Sequence, residues 1–153
     1  MELQLQRETV AEIDRHALET YPNECCGAVL AGDSDQSVRR ITNIQDRLHR
    51  EDPLKHPRDA RIAYFMDPKE LLAVLRESEA ERKPIRAFYH SHPEHGAYFS
   101  EEDKARAMAW DEPAYPDACY LVVSVVGGAI RERLAVAWDA VRKDFAEIAL
   151  MIE

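Results

Sequence analysis

Cysteine is scarce, with three among 153 residues. Three cannot build a disulfide framework, and no pair has C-x-x-C spacing. Cys25 and Cys26 are adjacent and Cys119 lies far along the chain, so reduced thiols in a cytosolic protein are expected. No stretch approaches the ~18 uninterrupted apolar residues of a membrane span. The longest apolar run, Cys119 to Ile130, is broken by Ser124 and by Gly127-Gly128. Met1 to Glu8 has no apolar core of signal-peptide length. These absences predict a cytoplasmic protein with no membrane partner. Positive charge is also short: 20 Lys and Arg face 29 Asp and Glu, for a formal charge of −9. Such a surface disfavours nonspecific binding to nucleic acid and to anionic membranes. Internal repeats and low-complexity tracts are absent.

What is present is a globular balance, 46% hydrophobic and 32% charged residues, away from the disordered regime. The length suits one ordinary domain covering residues 1–153. Leu3 and Leu5 alternate with polar neighbours, a short edge-strand pattern. Val10, Ile13 and Ala17 then recur at helical spacing, in a helix that ends before Pro22. Cys25 to Ala31 reads as a buried strand closed by a turn at Gly32-Asp33. Val38, Ile41 and Ile44 suggest a second strand. Asp46 to Asp59 is polar, carries two prolines and two histidines, and reads as a long binding loop or lid. Arg61 to Met66 is a further strand candidate.

Asp67-Pro68 has the signature of a helix start, with Leu71, Leu72, Val74 and Leu75 on the buried face. Ile85 to Tyr89 is a short apolar strand running into His90-Ser91-His92. A third helix is expected from about Glu101 to Trp110. Ala118 to Val126 is the strongest strand signal, Gly127-Gly128 is a two-residue hairpin turn, and Ile130 to Trp138 and Phe145 to Ile152 return. Interspersed helices with hairpin-joined later strands predict an α/β fold of the α+β type: a mixed, mostly antiparallel sheet flanked by helices. Hairpin strands could also pair across a homodimer.

The chemistry-bearing segment runs from His90 to Asp103. His90 and His92 are two apart at a strand end, so they share a face and can converge on one ion. Asp103 follows in the first turn of the next helix. Two imidazoles and a carboxylate with an open fourth position form the arrangement of catalytic zinc. Ser100 to Asp103 also resembles a helix-capping arrangement, which accounts for Ser100 and Asp103 but not for the histidines. Hydrolysis further needs a group that takes and returns a proton. Glu24, at the start of an apolar strand, is the candidate, although a solvated glutamate in a helix-to-strand loop has the same spacing.

Glu24, His90-Ser91-His92, Ser100 and Asp103 together resemble the full motif of the JAMM metalloproteases, the MPN+ or Jab1/MPN family: a distant glutamate, then H-S/T-H-x7-S-x2-D. The Glu-Cys-Cys-Gly run and His-Ser-His-Pro look like its small bacterial branch. The resemblance implies a curved, cytidine-deaminase-like sheet flanked by helices. It implies one zinc held by His90, His92 and Asp103, with water completing the tetrahedron, Glu24 as general base and acid, and Ser100 as a hydrogen-bond donor. It implies cleavage of the amide bond after the C-terminal Gly-Gly of a ubiquitin-like sulfur-carrier protein. A non-catalytic scaffold of the same fold and a deubiquitinase-like isopeptidase acting on protein conjugates are the alternatives.

Outside this motif, Ser91 is expected to be structural and His16 to be solvated on the first helix. His49 and His56 are candidates for a second, weak metal site. His95 is expected either to touch substrate or to face water. Trp110 and Trp138 are expected in or near the core. A cysteine hydrolase is disfavoured because Cys25 and Cys26 sit in an apolar strand. A zinc deaminase would need P-C-x-x-C, which is absent.

Overall fold

The computed structural model describes residues 1–153. Strands β1 (Glu2–Leu5), β2 (Cys26–Ala31), β3 (Gln36–Ile41), β4 (Ile85–Pro93), β7 (Cys119–Val126), β8 (Ala129–Asp139) and β9 (Asp144–Ile152) form one sheet. Its order is β1-β9-β8-β7-β4-β2-β3. The β1–β9 and β4–β7 pairs are parallel, and the other four pairs are antiparallel. Register shifts at Val29/Leu30 and Ser124/Val125 mark bulges, which bend a strand and increase its twist. The sheet is therefore mixed and mostly antiparallel, as expected. A two-stranded hairpin, β5 (Met108–Ala109) and β6 (Glu112–Pro113), stands apart from it. No helix is long and apolar enough to cross a membrane.

Strand alternation gives the sheet two cores. Val29, Ala87, Tyr89, Leu121 and Val123 face helix α1 (Arg7–Thr20), whose Val10, Ile13 and Ala17 complete that layer with Leu3 and Leu5. Ala28, Leu30, Phe88, Tyr120 and Phe145 face the other way, under Val74 of α3 (Pro68–Glu81), Ala107 of α4 (Glu101–Ala107) and Tyr64. Phe88 and His90 are two apart, so β4 directs His90 into this second layer. Gly127 and Gly128 have φ of 60° and 77°, as the tight turn between β7 and β8 requires.

Several expectations are corrected here. The 46–59 loop begins as a helix, α2 (Gln45–Glu51). Its only large apolar residue is Leu48, so there is no stripe to read; buried Ile44 and Gln45 anchor its start. Residues 61–66 form no strand. Apart from one bridge between Asn43 and Met66, the Asn43 side chain takes the place of a neighbouring strand. Its Nδ2 donates to the Ala63 carbonyl at 3.2 Å and its Oδ1 accepts from the Phe65 amide at 3.0 Å.

Asp67 caps α3 as expected, accepting from the Lys69 amide at 2.8 Å, but Leu72 on that helix is exposed. Helix α4 stops at Ala107, and Trp110 stands in the β5–β6 turn with φ 57°, 98% exposed. A two-residue turn points its side chains away from the body, which overrides the hydrophobicity of the indole. Trp138 packs beside the second core as expected. His16 is buried, its Nδ1 2.7 Å from the Tyr89 hydroxyl.

Candidate metal centre

The site lies where β4 outruns β2. His90 pairs with Cys26, the first residue of β2, while His92 continues alongside Ser124 of β7. Glu24, just before β2, therefore reaches the same end of the sheet. Its backbone is pinned from both sides: the Glu24 amide donates to the Ala60 carbonyl at 2.7 Å, and Asn43 Nδ2 donates to the Glu24 carbonyl at 2.9 Å. The 42–66 segment thus holds Glu24 in place.

His90 Nε2 and His92 Nε2 are 3.1 Å apart. Asp103 Oδ2 lies 3.1 Å from the first and 3.3 Å from the second. All three residues are buried, as is Glu24. Glu24, His90 and His92 also each offer an atom within 4.8 Å of the others and could hold a metal ion. Glu24, His90, His92 and Asp103 of the motif therefore converge, with both carboxylates beside the imidazole pair.

Hydrogen bonds prepare these groups. His92 Nδ1 is 3.0 Å from the Gly96 carbonyl. A carbonyl only accepts, so Nδ1 carries the proton and Nε2 keeps its lone pair. The His90 ring stacks on Tyr64 with centroids 4.5 Å apart, and burial lowers its pKa against the opposing pull of Asp103. Burial alone would raise Asp103. The neighbouring imidazoles of His90 and His92 and the hydrogen bond from the Ser100 amide outweigh it and hold the carboxyl well below its usual range. Glu24 is pushed up to about 9, first by burial and then by the charge of Asp103. Its Oε1 is buried without a hydrogen-bond partner.

Ser100 caps α4, its Oγ accepting from the Asp103 amide at 3.0 Å while Asp103 Oδ2 accepts from the Ser100 amide at 3.0 Å. The capping arrangement and the carboxylate–imidazole cluster therefore coexist on the same two residues. Ser91 points to the opposite face, where its Oγ accepts from the Cys25 amide at 2.8 Å. His95 is exposed at the rim of the cavity. His49 Nδ1 meets the His56 carbonyl at 2.7 Å. All three cysteines are buried, and burial pushes the Cys25 thiol up to about 12, which leaves no thiolate for nucleophilic attack.

The cavity over the site measures about 220 Å³, and Arg58, Tyr64, Tyr98, Glu102 and Arg106 complete its wall. Sequence reasoning singled out neither arginine. The Glu102–Arg106 spacing of one helical turn was available as a signal, whereas Arg58 stands in a segment with no periodicity. Tyr64 and Arg106 also line a second, apolar cavity of similar size with Phe88, Tyr115 and Tyr120.

Residues 6–140 match the family model described as prokaryotic homologs of the JAB domain. The chain belongs to this prokaryotic JAB family. Among its relatives, a Haloferax volcanii protein named desampylase is 32% identical over 133 residues, covering 86% of this chain and 80% of the relative. The fold is similar to the solution structures of a Desulfitobacterium hafniense protein (TM-score 0.71, 21% identity) and a Salinibacter ruber protein (TM-score 0.60, 22% identity). Each match covers 100% of this chain, with 93% and 92% of the respective structures. The JAB assignment agrees with the family resemblance carried by the motif.

Proposed function

We propose that this chain, as one domain, is a zinc-dependent peptidase or isopeptidase of the cytoplasm. It hydrolyses the amide bond after the C-terminal Gly-Gly of a ubiquitin-like sulfur-carrier protein. One observation carries the reading: His90 Nε2, His92 Nε2 and Asp103 Oδ2 form a triangle with edges of 3.1, 3.1 and 3.3 Å. A tetrahedral zinc with bonds of ~2.0–2.1 Å keeps its ligands about 3.3 Å apart, so the donor set fits that ion. Two imidazoles and one carboxylate leave a fourth position open, as in catalytic rather than structural sites. The unpartnered Glu24 Oε1 supports the fit, because a buried carboxyl without a partner is unfavourable and a nearby cation is its complement.

His90, His92 and Asp103 hold the ion. When bound, it supplies Lewis acidity to the amide carbonyl and to the attacking water. Glu24 takes the proton of that water and returns it to the leaving nitrogen. Burial without an ion favours the protonated carboxyl; a cation beside it would draw its pKa down toward neutrality, where a carboxyl can do both. Ser100 Oγ already accepts from the Asp103 amide, so its own proton is free to be donated to the developing oxyanion, an interaction worth ~10²-fold in rate.

The substrate class draws support from the Haloferax relative, whose name denotes removal of a ubiquitin-like modifier. A diglycine tail suits the site physically. Having no Cβ, it can lie extended and enter a cleft too narrow for bulkier residues.

The test is metal analysis of protein purified without chelator, followed by cleavage of tagged diglycine carriers with and without chelator. About one zinc per chain and chelator-sensitive cleavage after Gly-Gly are expected. Cleavage at full rate by metal-free protein would overturn the mechanism.

A further inference from the structure

Two guanidinium groups face the same cavity as Glu24, His92 and Asp103. Arg58 Nη1 lies 2.8 Å from one oxygen of Glu102, and Arg106 Nη2 lies 3.3 Å from the other. One carboxylate therefore serves two cations. Asp103 does not relieve the imbalance, because its Oδ2 is held by the imidazole pair.

Their placement is built into the fold. The Arg106 guanidinium lies over the Phe65 ring, 4.7 Å from its centroid. Gln45, 1% exposed, links the pair: its Nε2 donates to the Arg58 carbonyl at 2.9 Å, and its Oε1 is 3.5 Å from Arg106 Nη2. Arg106 Nε is buried with no hydrogen-bond partner. A partly satisfied, prepositioned guanidinium pair is a seat for a carboxylate, which such groups bind in charge-assisted, often bidentate fashion.

We infer that Arg58 and Arg106 bind the free α-carboxylate of the leaving group, so that the portion released is an amino acid or short peptide rather than the lysine side chain of another protein. The inference rests on the hydrolysis proposed above. Before cleavage the carrier's terminal glycine carboxyl is tied up in the scissile amide. A free carboxylate near that amide therefore belongs to whatever lies beyond it. A lysine joined through its side-chain nitrogen within a protein presents none. Hydrolysis then breaks the C–N bond, water supplies the oxygen of the new glycine carboxylate, and the amino acid leaves with its nitrogen protonated. With the guanidinium pair on its carboxylate, the leaving nitrogen is held toward Glu24, the proton donor.

The test uses zinc-loaded protein and a diglycine carrier extended by one amino acid, as the free acid or as its C-terminal amide. The acid is expected to be cleaved with kcat/KM about tenfold above the amide. Arg58→Gln and Arg106→Gln should bring that ratio toward one, with Arg106→Lys in between. Arginines that only brace the fold would lower both rates and leave the ratio unchanged, which would overturn the inference, as would equal rates in the unaltered protein. Binding separates this from the proposed chemistry. N-acetyl-diglycyl amino acid and its amide are titrated into the protein by calorimetry. Preference for the acid without cleavage of any carrier would keep the carboxylate seat and sink the hydrolase reading. Cleavage without preference in either assay would do the reverse.

Discussion

Ser100 and Asp103 cap each other, and the Asp103 oxygen that accepts the Ser100 amide is the one on which both imidazoles converge. The helix cap and the proposed ion site thus share an atom. Removing the Ser100 hydroxyl takes away the acceptor for the Asp103 amide, which costs roughly 0.5–2 kcal/mol as a lost cap. It also loosens the carboxylate. Ser100→Ala is therefore expected to lower the melting temperature by a few degrees and to weaken zinc affinity. Calorimetry and competition with a metal indicator would show both. Unchanged affinity would separate the cap from the site.

Glu24 has an isosteric, neutral replacement. Gln at position 24 matches the protonated carboxyl, the form favoured by a pKa of about 9. Glu24→Gln is expected to keep the fold and bind zinc while losing turnover by several orders of magnitude. If Glu24 were a ligand rather than a base, which its approach to His90 and His92 within 4.8 Å would allow, zinc content would fall as well. Metal stoichiometry on the variant decides between the roles.

His90 is the ligand candidate most enclosed by other rings, stacked on Tyr64 with Phe99 at 6.4 Å. Truncation to Ala removes one donor and leaves a void beside the second core. Zinc content and activity should both drop, with stability lower by about 2 kcal/mol or more. Unchanged zinc stoichiometry would remove His90 from the ligand set.

Long periodic elements and the spaced motif were legible in the sequence. At His16 and Trp110 residue type was allowed to outweigh position. His16 is three residues after Ile13, on the buried stripe of α1, and its polarity is met by Tyr89. Trp110 is large and apolar, yet a two-residue turn gives it nowhere to pack. Residues 61–66 look like a strand from their apolar composition, but apart from the Asn43–Met66 bridge it is the Asn43 side chain that meets the Ala63 carbonyl and the Phe65 amide. The arginines at the site were invisible for a different reason. Arg58 and Arg106 meet only through Glu102 and Gln45, residues that topology, not spacing, brings together.

Gly27 explains why Tyr89 can lie flat across β2. A Cβ there would come within 2.4–2.5 Å of the Tyr89 ring and hydroxyl, too close for any atom pair. The ring is 1% exposed and sits in the first core, so it cannot swing clear without shifting its neighbours. Gly27→Ala is expected to destabilise by roughly 1–3 kcal/mol, as overpacking does. Denaturant unfolding would measure it, and an unchanged midpoint would mean that β2 yields instead.

The partner of that ring makes stability depend on pH. Burial, reinforced by the charge of Arg40, lowers the His16 pKa from 6.5 to about 4, and the neutral ring is the one held against Tyr89. Between pH 6.5 and 4 the unfolded chain binds a proton at His16 that the folded protein excludes, so falling pH favours unfolding. The contribution is complete above pH 6.5 and is lost as the pH drops toward 4, on the order of 2 kcal/mol. Other groups titrate in acid too, so the informative quantity is the difference between two otherwise identical proteins. His16→Gln can still meet the Tyr89 hydroxyl but cannot take the proton. Its stability should fall less steeply than that of the unaltered protein over this interval, with the gap closing below pH 4. Parallel curves from pH 7 to 4, by urea unfolding at each pH, would show that His16 titrates freely despite its burial.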